Sequence, residues 1–92
     1  MRKTRFKLGQ VVATPGAVQA LEKAGQTSWE FLVRHLTGDW GEVDEADKLA
    51  NEEALTDGSR LLSAYTTIAG DRLWIITEAD RSSSCLLKPD EY

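Results

Sequence analysis

The sequence contains one cysteine, one histidine and two prolines in 92 residues. A single thiol, Cys85, excludes an internal disulfide and any cysteine-rich zinc site. Its place in an alternating C-terminal run reads as a buried structural thiol, and one free cysteine fits a reducing cytoplasm, the expected compartment. A lone histidine, His35, leaves no Ser-His-Asp or Cys-His arrangement by spacing. There is no P-loop, GxGxxG, HExxH or zinc-ligand spacing, and no RNP-type alternation of aromatic and basic residues. No metal and no cofactor are therefore expected. No apolar run approaches the ~20 residues that cross a bilayer, so no membrane partner is expected. The positive start MRKTRFKLGQ is not followed by an apolar segment, which argues against a secretory signal.

Hydrophobic residues at 41% and charged residues at 28% describe one folded domain over residues 1–92, with 1–7 read as a flexible basic arm. The net charge of −4 is unevenly spread. Arg2, Lys3, Arg5 and Lys7 crowd the start. Asp39, Glu42, Asp44, Glu45, Asp47, Glu52, Glu53 and Asp57 face one base, Lys48, in the middle. Tight nucleic-acid binding needs clustered Lys and Arg to displace phosphate counterions, so the acidic balance argues against it and leaves the N-terminal arm as its one route.

The pattern of elements predicts an α+β fold: three short helices packed on a small antiparallel sheet that ends in a three-stranded meander. Residues 5–13 read as a short strand or arm bent at Gly9. Thr14-Pro15 starts a helix that Gly25 stops. Thr27 and Glu30 read as a capping box for a second helix, with Trp29, Leu32, Val33 and Leu36 as its core stripe. Asp44 caps a third, over about 45–56, whose thin apolar face is Ala46, Leu49, Ala50 and Leu55. Strands follow at 60–67, 73–77 and 83–87, the central one apolar on both parities and so read as covered on both faces.

Four constellations could carry function. His35 is either a helix-terminal surface residue facing the helix dipole or a catalytic group. Glu78, Asp80 and Arg81 follow the central strand, where two carboxylates could hold a cation or orient water and Arg81 could bind an anion; the plainer reading is a solvated turn. The acidic run, with Glu45, Asp47, Glu52 and Glu53 foremost, is either the wet face of a helix or an imitation of nucleic-acid phosphate aimed at a basic partner. Trp40, between two glycines, is either a core plug or an exposed anchor.

The segments MRKTRFKLGQVVATPGA, GDWGEV, GSRLLSAYTT and IITEADRSS give the chain a further resemblance. It resembles a family of short proteins encoded on bacterial plasmids and other mobile elements, some labelled plasmid-related protein or type I restriction subunit M. The resemblance runs nearly end to end, departing at LLKPDEY where LLPEEY is more usual. It implies no activity. The restriction label has no support in the residues, because a DNA methyltransferase needs a cofactor-binding glycine motif and an Asn-Pro-Pro-aromatic motif, and neither occurs.

These readings converge on a non-enzymatic accessory protein of a mobile element that acts by protein contact, in one version as an anti-restriction or anti-defence inhibitor. The competing expectations are a small ribonuclease-like or hydrolase toxin using His35, Tyr65, Glu78, Asp80 and Arg81, and a DNA-binding regulator using the basic arm. A free edge strand in so small a sheet also leaves room for a homodimer, with Lys88 and Pro89 as candidate edge protection.

Overall fold

Thr14, Thr27 and Asp44 each open a helix by one device: a side-chain oxygen accepts the backbone N–H three residues on, from Ala17, Glu30 and Asp47 respectively. In the computed structural model, which describes residues 3–92, these caps begin α1 (Pro15–Ala24), α2 (Ser28–Leu36) and α3 (Glu45–Asp57). Gly25 and Gly58 end α1 and α3 in the left-handed conformation. Four strands, β1 (Gln10–Ala13), β2 (Leu61–Thr66), β3 (Arg72–Thr77) and β4 (Ser83–Leu87), form one sheet in the order β1-β4-β3-β2.

The α+β class and the β2-β3-β4 meander are as the sequence predicts. The first strand adds parallel to β4, Gln10 opposite Ser83 and Ala13 opposite Leu86. Gly9 makes that entry, because a side chain there would collide with the Ser82 carbonyl and its φ is +66°.

Strand alternation turns Ser63, Tyr65, Leu73, Ile75, Thr77, Ser84 and Leu86 toward the helices. Ala17, Ala20 and Leu21 of α1 and Phe31 and Leu32 of α2 pack onto Tyr65, Leu73, Ile75 and Leu86. Each large side chain fully buried there contributes about 1.5–3 kcal/mol. A second cluster gathers Trp40, Ala54 and Leu61, with Phe6, Val43 and Leu55 at its margin. On the opposite sheet face the C-terminal turn Pro89–Glu91 lies against β3, and the Tyr92 ring meets Trp74 edge-on at 5.7 Å. The Glu91 carboxylate holds that turn down by accepting from Thr14 Oγ1, the Gly16 N–H and the Lys88 N–H.

Several sequence expectations are corrected. Trp29 is 56% exposed and shares an outward face with Val33, because Phe31, Leu32 and His35 form the inward stripe of α2. Glu30 takes a hydrogen bond from Gln26 Nε2, so Thr27 caps α2 alone. In α3 the predicted apolar face holds only at Leu55, which packs at the margin of the second cluster: Ala46, Leu49 and Ala50 point to solvent, while Asn51 and Ala54 point inward. The cause is Asn51, whose amide donates to the Leu62 carbonyl at 2.7 Å and accepts from the Leu62 N–H at 3.0 Å. Those bonds satisfy backbone groups on the open side of β2 and fix the rotation of the helix.

The N-terminal arm is docked from residue 5 on. The Arg5 N–H donates to the Leu36 carbonyl, the Phe6 ring stacks with Trp40, and Leu8 reaches the main core.

Candidate functional site

His35 is fully buried, against the expectation of a surface residue, and it sits in a row of hydroxyls. Nδ1 lies 2.5 Å from Ser63 Oγ and Nε2 lies 2.8 Å from Thr77 Oγ1. Thr77 Oγ1 is 2.7 Å from Ser84 Oγ, which donates to the Leu8 carbonyl. A hydroxyl has one proton, so the directions follow from that last bond. Ser84 gives its proton to Leu8, and Thr77 must donate to Ser84. Thr77 therefore accepts from His35 Nε2–H, and Nδ1 accepts from Ser63. The imidazole is neutral, in one tautomer, with both nitrogens satisfied.

Burial, reinforced by the positive charge of Arg81, pushes the His35 pKa down to about 3. Phe6 and Trp40 close over the ring edge-on, at 5.1 and 5.7 Å. A general base needs a substrate within hydrogen-bond reach, and both His35 nitrogens are already taken by buried side chains. The row is a structural relay joining α2 to β2, β3, β4 and the N-terminal segment.

Tyr65 is also buried. Its hydroxyl donates to the Asp39 carbonyl at 2.6 Å, the Arg34 guanidinium lies 4.5 Å over its ring, and burial raises its pKa. Glu78, Asp80 and Arg81 form the β3–β4 turn. Glu78 and Asp80 are exposed, and Asp80 accepts the Ser82 N–H. Arg81, in the left-handed region at φ 60°, sends its guanidinium to four carbonyls: Ser59, Glu78, Ala79 and Ala54. That commitment ties the turn to the C-terminus of α3. The five candidate residues of the enzyme reading thus divide between a sealed interior and a solvated turn.

Of the four N-terminal bases, Arg2 lies outside the described residues and Lys3 and Lys7 are exposed. Arg5 binds both oxygens of Glu52, at 3.0 and 2.8 Å. Glu52 also accepts the Trp40 indole N–H at 2.9 Å, and the bonds from Arg5, then that from Trp40, hold its pKa below the usual carboxylate value. Trp40 itself is buried, which makes it the core plug and not an exposed anchor.

The acidic run is sorted in the same way. Asp39 pairs with Arg34, Glu42 with Arg72 and Thr66, and Asp44 is a helix cap. Glu45 has a loose pairing with Lys48 at 3.5 Å, while Asp47 and Glu53 stand exposed. Between them on α3 stand Ala46, Leu49 and Ala50, with Leu49 61% exposed. An open groove of about 490 Å³ beside the helix is lined by Glu52, Glu53, Thr56 and Asp57. Among the described residues no group of three or more His, Cys, Asp or Glu side chains is placed to hold a metal ion.

Cys85 is half-buried on the sheet face away from the helices, where burial, then Glu91 and Glu78, raise its pKa. Among the described residues no helix is long and apolar enough to cross a membrane. No family model, curated protein or solved structure matches this chain.

Sequence reasoning missed the His35 relay and the Asn51 anchor. The signal for the first was available: Ser63, Thr77 and Ser84 fall on the same parity as Tyr65, Ile75 and Leu86. A row of hydroxyls on a buried face requires a polar partner from the layer above.

Proposed function

We propose that the chain is a non-enzymatic accessory protein of a bacterial mobile element that acts by protein contact, with the outward face of α3 as its contact surface. The observation that carries this reading is Leu49, standing exposed between Ala46 and Ala50, with Glu45 and Glu53 one turn to either side of it and Asp47 beyond Ala50 at the margin of the stripe. Residues 46, 49, 50 and 53 follow helical spacing and form one continuous stripe. An apolar centre with an acidic rim fits a protein whose apolar groove is rimmed by Lys and Arg. A nucleic-acid-binding surface on a restriction or defence enzyme has that chemistry, and the resemblance to plasmid-borne proteins supports the same setting. Against the enzyme reading stand the sealed His35 and Tyr65 and the commitment of Arg81 to carbonyls.

The test is capture from host lysate with the wild-type chain, with Leu49→Asp and with Glu45→Lys/Asp47→Lys/Glu53→Lys. Glu52 is left intact because it binds Arg5 and Trp40. The expected result is one stoichiometric basic protein that both variants lose while their thermal unfolding stays unchanged. Equal capture by both variants would remove α3 as the contact surface.

A further inference from the structure

The two edges of the sheet are finished differently. On β2 the outward backbone groups of Leu62 and Ala64 are covered: Leu62 by the Asn51 side chain, and Ala64 by the Trp40 carbonyl and the Glu42 N–H at 3.1 and 2.7 Å. On β1 the Gln10 N–H donates to Ser82 and the Thr14 N–H to Leu86. In a parallel ladder alternate residues face the same neighbour, so Gln10, Val12 and Thr14 spend their backbone groups on β4. Val11 and Ala13 therefore direct N–H and C=O away from the sheet. All four residues of β1 are exposed, with Val11 and Val12 each at 43%.

An open edge is usually blunted by charge, by proline or by a covering element. Here nothing between Lys7 and Glu22 is charged, in a chain whose net charge of −4 makes two copies repel elsewhere. Val18, on the helix that directly follows the strand, is also 43% exposed. The edge is thus open, uncharged and flanked by aliphatic side chains.

We propose that β1 pairs antiparallel with β1 of a second copy about a two-fold axis through Val12, giving a continuous eight-stranded sheet. Only odd-numbered residues have free backbone groups, so the register must set odd residues opposite odd ones. Placing Val12 opposite its symmetry mate sets each Val11 opposite the other copy's Ala13. Both pairs then exchange N–H···O=C bonds, four in all. The two Val12 side chains meet on the sheet face away from the helices. There they continue the row already formed by Leu62, Ile76 and Cys85, which face one another across β2, β3 and β4. This inference does not rest on the α3 reading, because the two surfaces share no residue.

The test is the solution mass of the wild-type chain and of Val12→Lys, by light scattering and sedimentation at the highest soluble concentration. Amide spectra establish that the variant is folded. Wild type at twice the chain mass and Val12→Lys at the chain mass are expected. As a second measurement, Val12→Cys in a Cys85→Ser background should oxidise quantitatively to a linked dimer. Facing residues of a non-hydrogen-bonded antiparallel pair lie about 4.5 Å apart at Cα, within disulfide reach. Leu49→Cys in the same background should stay unlinked. A monomeric wild type, a dimer that survives Val12→Lys, or equal linking at residue 49 would each overturn the proposal.

Discussion

His35 and Ser63 meet at 2.5 Å across the interface of α2 and β2, and the polarity of their bond is set at the other end of the relay, by Ser84 and the Leu8 carbonyl. One sealed residue therefore reports on the whole layer contact, and its titration gives the first expectation.

The folded pKa of His35, about 3, lies below the ordinary value of 6.5. The unfolded chain therefore takes up a proton first, and stability present above pH 6.5 is lost as pH falls toward 3. The steepest loss is about 1.4 kcal/mol per pH unit. Glu52, Asp80 and Glu91 are held below their usual carboxylate values and add losses of the same sign that set in below about pH 5.5. Urea unfolding at pH 7.5, 6.5, 6.0 and 5.5 should show the His35 slope nearly alone. The same series on His35→Gln should be nearly flat; a parallel slope would mean that some other group titrates.

Thr77→Val keeps the side-chain shape while stranding the His35 Nε2–H and removing the donor to Ser84. The expected loss is about 1–3 kcal/mol, the cost of leaving a buried polar group unpaired. Ser63→Ala should cost a similar amount and leave the helical circular dichroism unchanged. A loss under about 0.5 kcal/mol in both would show that the relay is not a stabilising unit.

Arg81→Lys should behave as a loss, since an ammonium cannot span four carbonyls as a planar guanidinium does. Chemical denaturation should reveal about 1–3 kcal/mol of destabilisation. Hydrogen exchange at the end of α3 should quicken, because the Ala54 and Ser59 carbonyls lose their donor. Unchanged exchange at Ala54 and Gly58 would contradict this role.

Asn51→Leu removes the pair of bonds that covers Leu62 and exposes backbone groups on the β2 edge. The variant should be less stable by about 1–3 kcal/mol and should associate in a concentration-dependent way by light scattering. An Asn51→Leu chain with wild-type mass and stability would mean that α3 holds its rotation by other contacts.

How much of this was legible in the sequence depends on the range of the signal. Thr14, Thr27 and Asp44 announce their helices because a cap and the N–H it binds are three residues apart. The meander was legible for the same reason: alternation is local and its turns are short. Rotation about the axis of α3 was not, because Asn51 is polar and its partner Leu62 lies beyond a turn. The exposed Leu49 and Ala50 then passed for the buried side. The site followed the same rule: exposed Asp47 and Glu53 were identified, whereas buried His35 depends on hydroxyls from three strands. The parallel pairing of β1 carried no local mark beyond Gly9.

The sheet order also sets a sequence of events. β1 has no neighbour until β4, the last strand of the chain, is in place, and Gln10 finds Ser83 only by closing a loop that contains every helix. The meander and the helices on it can assemble from near neighbours, while the loop-closure entropy of the whole chain falls on four exposed residues. On those grounds β1 is expected to dock last and to open first, so the strand whose pairing closes the longest loop is also the one that carries the free backbone groups of Val11 and Ala13.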